Sequence, residues 1–472
     1  MRELKRSLNL FDTVMLVSGS MIGSGIFIVS ADMTRVLGSP FWVLACWVLS
    51  GVITLFAALS YGELAGMMPE AGGQFIYLKR AYGRLTSFVY GWTVFTVIQT
   101  GVIAAVAVAF ARYVGVFFPF FSESRILLEL GPLHLSTTQV LAVASVLFLT
   151  FMNSRGINNG KIIQRIFTSA KIIALLGLII LGFVVGYQTG FWQQNMDLSF
   201  HPLEENNSGG LSSTLLGALG VALIGSLFSS DAWNNVTFIA GEIKQPQKNI
   251  PLGLFIGVLI VTLLYILANV AYFMLLPALG SPEGKTVLEQ GVAYAENDRV
   301  GTAAMFQVFG DVSASVMALL IIVSTFGCNN GLILSGARLF QAMAGEGLFF
   351  SSAAQLNSAG VPSRALWMQA IWASLLCLSG SYGDLLNYCT FASLIFYIVT
   401  ISALFYLRKK EPLAPRPYKA FGYPIIPALY ILIAGAICVD LLLLKPVNTL
   451  LGLGIMAVGI LVYPLFAKKN HV

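Results

Sequence analysis

Charged side chains are scarce in this chain: of its 472 residues, 10% are Asp, Glu, Lys or Arg, and 57% are hydrophobic. Soluble globular proteins carry about 25% charged residues. A chain with so few cannot cover itself with a polar surface, which excludes an ordinary soluble protein. The mean hydropathy of +0.82 therefore predicts a protein whose solvent is lipid.

Residues that ligate metals or relay protons are also few. The three histidines, His134, His201 and His471, fall in predicted loops or in the tail, so no histidine relay crosses the membrane. The cysteines lie in apolar runs without metal-ligand spacing, and we interpret them as small apolar filler; they are Cys46, Cys328, Cys377, Cys389 and Cys438. We predict no catalytic residue, metal or cofactor, and no nucleic-acid partner.

Apolar runs recur along the whole chain at nearly regular intervals, as in one helical bundle. They predict an all-α polytopic membrane protein, a single transporter-like domain over 1–472 with twelve transmembrane helices. The predicted spans are 12–34, 41–68, 86–118, 138–153, 162–187, 213–242, 251–277, 301–345, 363–380, 384–407, 423–444 and 447–467. The third and eighth exceed the ~20 residues that a bilayer needs, which predicts tilt or continuation beyond the lipid.

The placement of positive charge supports this topology. Of the 27 Lys and Arg residues, twenty fall on the side that carries both termini, six fall on the other side, and Lys171 lies within a span. Positive residues mark the cytoplasmic side of a membrane protein. We therefore expect cytoplasmic N- and C-termini and a location in the cell membrane.

The first span contains Ser18-Gly19-Ser20-Met21-Ile22-Gly23-Ser24-Gly25, and each Gly costs a helix about 1 kcal/mol relative to Ala. We predict an interrupted helix whose second half begins near Ser24 and Gly25. Its first amides and positive dipole end would then face a cavity and suit a carboxylate. A small-residue face for helix packing is the alternative interpretation.

The sixth span has a matching irregularity, Ser229-Ser230-Asp231-Ala232-Trp233-Asn234-Asn235, in an otherwise apolar segment. These polar side chains hydrogen-bond locally and compete with helical pairing. Interrupted helices at corresponding positions of two halves are typical of inverted-repeat transporters with a site at the midplane. The two breaks together predict such a site.

Two ionisable residues inside spans are candidate functional residues. Asp231 is expected either to neutralise a cationic substrate side chain or to cap the broken helix. Lys171 is predicted to tether the first helix to the fifth through backbone carbonyls, in place of a metal cation; the alternative is snorkelling to the interface. Glu63 and Glu242, near cytoplasmic ends of spans, are interpreted as inner-gate residues or as boundary charges without a transport role.

Several motifs in order carry a family likeness, namely Gly23-Ser24-Gly25-Ile26-Phe27, Tyr61-Gly62-Glu63-Leu64, Lys171, Asp231-Ala232-Trp233-Asn234, Asn249-Ile250-Pro251 and Ser335-Gly336-Ala337-Arg338. The chain resembles the amino acid–polyamine–organocation transporters, specifically a prokaryotic member of the L-type amino acid transporter family. The likeness covers nearly the whole chain. It implies a five-plus-five inverted repeat of the leucine-transporter type, with halves at 1–187 and 213–407 and two further helices within 423–467.

The resemblance also implies a site. The family's substrate carboxylate binds amides that here belong to Ser24, Gly25 and Ile26. Its amine meets the carbonyls of Met21 and Phe228, with Asp231 nearby. The other implied roles are sodium replacement by Lys171, an outer gate at Phe228, a pocket wall at Asn234, and Tyr265 close to the site.

The resemblance has two departures. Animal light chains carry a cysteine in the outer loop after the third span, and residues 119–136 contain none. We therefore expect no disulfide-linked heavy chain. Ala232-Trp233 replaces the commoner Gly-Trp pair, so cationic and small or branched neutral amino acids both stay open as substrates.

The leading hypothesis is a sodium-independent amino acid exchanger that works by alternating access in membrane lipid. A proton-coupled symporter and a non-transporting amino acid sensor are the alternatives. A membrane enzyme would need clustered His, Cys or carboxylates at one depth, and a channel would need a charged ring or polar stripe. The predicted spans show neither pattern.

Overall fold

The computed structural model describes residues 6–122, 124–130, 133–199, 215–378, 382–444 and 446–467. His201, His471 and the first two residues of the predicted sixth span lie outside the described residues. Within the described part of the chain, nine helices are long and apolar enough to cross a membrane, and Leu10–Met21 is a shorter apolar helix. The chain is therefore an all-α membrane protein, with one small hairpin among the residues that the structure describes.

The elements, in chain order, have the following bounds. The helices are α1 Leu10–Met21, α2 Val29–Leu37, α3 Pro40–Met67, α4 Gln74–Tyr82, α5 Arg84–Thr93, α6 Gln99–Phe117, α7 Thr137–Ser154, α8 Ile157–Thr189, α9 Phe191–Ser199, α10 Leu215–Ser229, α11 Pro246–Leu275, α12 Val287–Gln290, α13 Val300–Phe309, α14 Ser313–Gly345, α15 Ser363–Leu378, α16 Tyr382–Lys410, α17 Ile425–Leu444 and α18 Pro446–Ala467. Short 3₁₀ segments cover Gly25–Phe27, Trp233–Glu242, Glu296–Asp298, Gly310–Val312 and Ser351–Ala354, and a π turn covers Val94–Ile98. Strands β1 Ile126–Leu130 and β2 Leu133–Ser136 pair antiparallel.

Local sequence determines several helix ends. Asn9 and Asp12 form a capping box at the start of α1, in which each side chain accepts a hydrogen bond from the backbone amide of the other. This satisfies two amides that the helix itself cannot pair. Gly38 ends α2 in the left-handed conformation, and Ser39 then caps α3 ahead of Pro40. A polar cap followed by proline at the first helical position is a strong start signal, so the turn between α2 and α3 is encoded locally.

The interrupted first helix lies at the centre of the bundle. Helix α1 packs against α8, α11 and α14, while α10 packs against α2 and α3. Gly257 of α11 lies so close to Val17 of α1 that a Cβ there would overlap it. Small residues allow this approach where no hydrophobic force draws helices together in lipid. The packing encloses both breaks within protein rather than lipid.

The predicted breaks are confirmed, and one helix predicted to be continuous is interrupted. The first span stops at Met21 and resumes at Gly25, and the sixth stops at Ser229 and resumes at Trp233. The expectation of one helix over 301–345 is wrong, because Gly310 ends α13 with φ 56°. The third span contains a π turn between α5 and α6.

The polar segments between spans contain more structure than the sequence indicated. The loop after α6 forms the β1–β2 hairpin, and α9 lies between the predicted spans 162–187 and 213–242. The side chain of Asn195 on α9 donates to the carbonyls of Phe273 (2.7 Å) and Leu276 (2.9 Å) at the end of α11. Helix α9 thereby satisfies carbonyls that the end of α11 leaves unpaired.

Candidate functional site

The first break presents unpaired backbone donors. Helix α1 ends with Ile22 in extended geometry, and a short 3₁₀ turn is closed by Phe27 N–H to Ser24 O (3.1 Å) and Ile28 N–H to Gly25 O (3.0 Å). Within the described residues, the amides of Ser24, Gly25 and Ile26 donate to no protein acceptor. Buried amides are nearly always paired. These three are therefore available to an anionic group.

Lys171 holds this break in place from α8. Its side chain is 1% exposed, and Nζ donates to the carbonyls of Gly19 (2.6 Å), Ile22 (2.7 Å) and Ser324 (3.3 Å). The hydroxyl of Ser324 also donates to Ile22 O (3.1 Å) and Gly23 O (3.0 Å). The ammonium thus ties α1, α8 and α14 together through three carbonyls, as the sequence predicted, and it does not reach the interface.

The second break follows α10. Ser230 N–H still donates to Ser226 O (3.1 Å) and Asp231 N–H donates to Phe228 O (3.1 Å), after which Ala232 turns the chain with φ 65°. A left-handed conformation is costly for an alanine and is tolerated where the surroundings impose it. The 3₁₀ segment from Trp233 then leaves in a new direction.

Tyr265 of α11 joins the two breaks. Its hydroxyl lies 3.1 Å from Met21 O in the first break and 3.1 Å from Ser229 O in the second. The side chain is 1% exposed, and Trp47 packs edge-on against its ring. A Cβ on Gly25 would overlap the side chain of Ser229, so glycine is required where the breaks approach each other.

The carboxylate of Asp231 lies in a polar network. Tyr397 of α16 donates to Asp231 Oδ1 (2.6 Å) and lies 3.2 Å from Asn234 Oδ1. Asn234 in turn donates to Gln74 Oε1 (3.1 Å), and Gln74 donates to Phe396 O (3.0 Å). The network orients the carboxylate and connects the second break to α4 and α16.

Asp231 also borders two small cavities, one lined by Gln74, Asn234 and Phe396 and the other by Ile53 and Tyr430 among others. Each has about 20 Å³ of space open to water, which holds roughly one water molecule. An amino acid would need neighbouring side chains to move before it could enter. The site described here is therefore closed.

The arrangement can bind a zwitterion. Free amides and the positive end of a short helical turn suit a carboxylate. Carbonyl oxygens and the Asp231 carboxylate suit an ammonium group. The two breaks that carry these groups approach each other where Gly25 meets Ser229.

The structure places the predicted residues in two groups. The first group forms or contacts the first break and consists of Met21, Ser24, Gly25, Ile26 and Lys171. The second group lies at the second break and consists of Phe228, Asp231 and Asn234. Tyr265 contacts both breaks. Both predicted amine-binding carbonyls already accept one hydrogen bond, that of Met21 from Tyr265 and that of Phe228 from the Asp231 amide. A carbonyl has a second lone pair, so each can accept one more. Only Asp231 and Asn234 among the predicted residues line the small cavities.

Sequence reasoning missed Tyr397 and Gln74. Tyr397 lies in the apolar run Ile395-Phe396-Tyr397-Ile398, where a tyrosine resembles any lipid-facing aromatic residue. Gln74 follows Gly72-Gly73, whose positive φ values mark the entry into α4. A buried glutamine directly after a span was the signal that could have been used.

Glu63 and Glu242 each have a basic partner on what we predict to be the cytoplasmic side. Glu63, 0% exposed, accepts from Arg408 (2.5 Å), Arg416 (3.1 Å) and the Ala420 amide (2.6 Å). Arg338 donates through Nε to Glu242 (2.8 Å), and both side chains are buried. The contacts of Glu63 hold the segment after α16 against α3, and the choice between gate residues and boundary charges stays open.

Known proteins match this chain over nearly its whole length. The family model described as amino acid permease matches residues 8–463. The large neutral amino acids transporter small subunit 2 of Mus musculus is 30% identical over 476 residues, which covers 99% of this chain and 82% of that protein. The b(0,+)-type amino acid transporter 1 of Homo sapiens is 29% identical over 449 residues, with 94% and 84% covered. The serine/threonine exchanger SteT of Bacillus subtilis (strain 168) is 29% identical over 432 residues, with 91% and 89% covered.

Proposed function

Because this chain belongs to the amino acid permease family of the amino acid–polyamine–organocation superfamily, we propose that it exchanges amino acids across the cell membrane without sodium. Family membership makes it a membrane transporter rather than an enzyme. The observation that carries the proposal is the pair of breaks. The amides of Ser24, Gly25 and Ile26 have no partner in the first break, and this break approaches the second where Gly25 meets Ser229.

The proposed binding mode assigns each end of an α-amino acid to one break. The carboxylate accepts from the amides of Ser24, Gly25 and Ile26, and the ammonium donates to the carbonyls of Met21 and Phe228. Asn234 and Asp231 line the space left for the side chain, and Phe228 closes over the ligand from the end of α10. Tyr265 keeps the two breaks in register, since its hydroxyl reaches both.

The position of Lys171 supports sodium independence. Its ammonium sits among the carbonyls of Gly19, Ile22 and Ser324. Carbonyl oxygens in such a cluster are also the ligands that a hard cation prefers. A resident positive charge fills that place permanently, so binding of substrate does not need a coupling ion there.

The proposed architecture has twelve spans, with inverted repeats at 1–187 and 213–407 and two further helices in 423–467. The breaks in α1 and after α10 occupy corresponding positions in these repeats, which supports a site at the midplane. Both termini are proposed to be cytoplasmic. No disulfide-linked heavy chain is proposed, since residues 119–136 contain no cysteine.

Exchange is favoured over proton coupling by the ion pairs. Glu63 and Glu242 are each paired with arginine, so both carboxylates already have a positively charged partner. The Asp231 carboxylate has a hydroxyl partner, Tyr397, instead of an arginine. The serine/threonine relative is named as an exchanger, and this supports the same mode here.

The test is uptake into liposomes that contain the purified protein, without sodium and without a pH gradient. Radiolabelled serine, leucine and lysine sample small neutral, large neutral and cationic substrates. We expect uptake into vesicles preloaded with the same unlabelled amino acid and little uptake into empty vesicles. Protein-free liposomes are the control.

Other outcomes separate the alternatives. Equal uptake into empty and preloaded vesicles would contradict exchange. Uptake into empty vesicles that needs an inward proton gradient would establish a symporter. Binding of amino acid without any uptake would indicate a sensor.

A further inference from the structure

A larger cavity than the two beside Asp231 opens at the opposite end of the molecule from the Glu63 and Glu242 ion pairs. It has about 460 Å³ of space open to water, far more than the cavities beside Asp231. It is bordered by the end of α6, the loop before β1, the start of α7 and the segment before α13. Its lining includes Ile28, Arg112, Tyr113, Thr138, Asn297 and Arg299. Both loops are predicted to lie outside the cell.

The charge of this cavity is positive. Among the described residues that line it, the ionisable side chains other than Tyr113 are Arg112 and Arg299. The guanidinium of Arg299 lies 5.2 Å from the ring centre of Tyr113, which fixes it against the wall. The neighbouring Asp298 is not among the lining residues and pairs with Arg35 (2.6 Å), which also pairs with Asp32 (3.3 Å). A cleft lined by one sign of charge concentrates solutes of the other sign.

Thr138 adds an independent indication of a ligand. Its side chain is 1% exposed, and Oγ1 is buried without a hydrogen-bond partner. A buried hydroxyl without a partner costs about 1–3 kcal/mol, and such a group in a cavity wall suits an oxygen acceptor. Thr138 and Arg299 both line this cavity.

The cavity leads towards the first break. Ile28, on its floor, directly follows the 3₁₀ turn Gly25–Phe27, and its own amide donates to Gly25 O (3.0 Å). A carboxylate held in the cavity is therefore close to the turn that carries the free amides. If the carboxylate moved inward, its partners would change from the Arg299 side chain to the backbone N–H groups of the first break.

We propose that this cavity is an external loading site, which binds the carboxylate of an incoming amino acid through Arg299 and the Thr138 hydroxyl. The inference rests on the proposed function, since it gives that transporter a first binding step on one face only. Because its lining is positive, the cavity also disfavours the entry of amino acids with cationic side chains.

The test compares Arg299→Gln with Arg125→Gln as a matched control. Arg125 is on the same face but packs over Phe120 (4.2 Å) outside the lining. KM is measured in right-side-out and inside-out vesicles from the same expressing cells, with radiolabelled leucine and serine as probes. We expect Arg299→Gln to raise the outer KM about two- to fivefold, the range for an exposed ion pair. The inner KM and the Arg125→Gln values should match wild type.

Two further measurements keep the test decisive if Arg299→Gln inserts poorly. Arg299→Lys retains the charge and should restore the outer KM, while Thr138→Val should raise it. The wild-type outer KM should also rise between about 0.01 M and about 0.1 M ionic strength, where the Debye length falls from about 30 Å to about 10 Å.

An outer KM unchanged in both Arg299→Gln and Thr138→Val would overturn the loading site. An equal rise on both faces would also overturn it, because it would show a change in the whole protein. Wild-type vesicles without any uptake would contradict the proposed function instead, so the two failures are distinguishable.

Discussion

Replacement of Lys171 by methionine tests the central claim about the first break. Methionine keeps an unbranched apolar stem of similar length, so the substitution removes the ammonium with little loss of packing. The bonds lost are those from Nζ to Gly19 O (2.6 Å), Ile22 O (2.7 Å) and Ser324 O (3.3 Å). The carbonyls at the end of α1 are then left without their charged donor.

The magnitude follows from the two shorter bonds. Hydrogen bonds to charged groups contribute about 1.5–3 kcal/mol each, and bonds that share one donor are not fully additive. Two bonds at the lower limit give roughly 3 kcal/mol, which is about a hundredfold in an equilibrium constant. If the tether maintains the unwound geometry, the binding-competent fraction falls by that factor and the apparent Kd rises accordingly.

The assay is equilibrium binding of radiolabelled amino acid to purified protein, together with its thermal unfolding. The matched control is Lys161→Met, ten residues earlier on α8. Lys161 pairs with Asp12 (3.0 Å), which keeps Arg165 (2.5 Å) as a partner when Lys161 is lost. We expect Lys161→Met to bind within about threefold of wild type. A Lys171→Met protein that also binds within about threefold, and stays folded, would refute the tether.

Three further predictions concern the second break, the inner ion pair and the contact between breaks. Tyr397→Phe removes the hydrogen-bond donor to Asp231 (2.6 Å), so the carboxylate needs another partner. Free lysine should then compete several-fold better than in wild type for binding against labelled leucine, which corresponds to about 1 kcal/mol. Arg338→Gln leaves buried Glu242 unpaired, which should cost about 3–5 kcal/mol in thermal or denaturant unfolding, with part regained in the Glu242→Gln double variant. Gly25→Ala forces a Cβ into the second break and should abolish binding while unfolding changes little.

Each of these has a contradicting result. Unchanged lysine competition in Tyr397→Phe would mean that the hydroxyl does not govern the carboxylate. If Arg338→Gln and wild type unfolded at the same temperature or denaturant concentration, the ion pair would not contribute to stability. Normal binding by Gly25→Ala would show that the two breaks separate freely. Gly435→Ala, whose Cβ would meet nothing within 4 Å, is the control for an added methyl group.

The breaks could be predicted because they depend on local chemistry. Glycine and serine in the first span, and serine with aspartate in the sixth, weaken helical pairing whatever surrounds them. The family assignment was also within reach of the sequence, and the match over residues 8–463 confirms it. Lys171 could be assigned to the interior because two other basic residues already occupied the interface.

The rest depended on contacts between distant segments. Tyr397 reaches Asp231 from 166 residues away, and nothing in its own apolar run distinguishes it from a lipid-facing tyrosine. The end of α13 at Gly310 was missed because one glycine in an apolar run is common in membrane helices. The predicted roles of Phe228 and Asn234 in closing and shaping the pocket stay predictions.

The first break is held from two sides, and this has a consequence for transport. Lys171 and Ser324 bind its carbonyls from α8 and α14, whereas Tyr265 binds Met21 O from α11. Alternating access moves one group of helices against another around a site at the midplane. Any such motion that separates α8 and α14 from α11 must either break one set of these bonds or bend the chain between Met21 and Gly25. The unwound residues in that interval carry few helical hydrogen bonds to resist bending. The unwound segment between Met21 and Gly25 therefore both leaves amides free for a ligand and serves as the hinge. A ligand bound to those amides acts directly on this hinge.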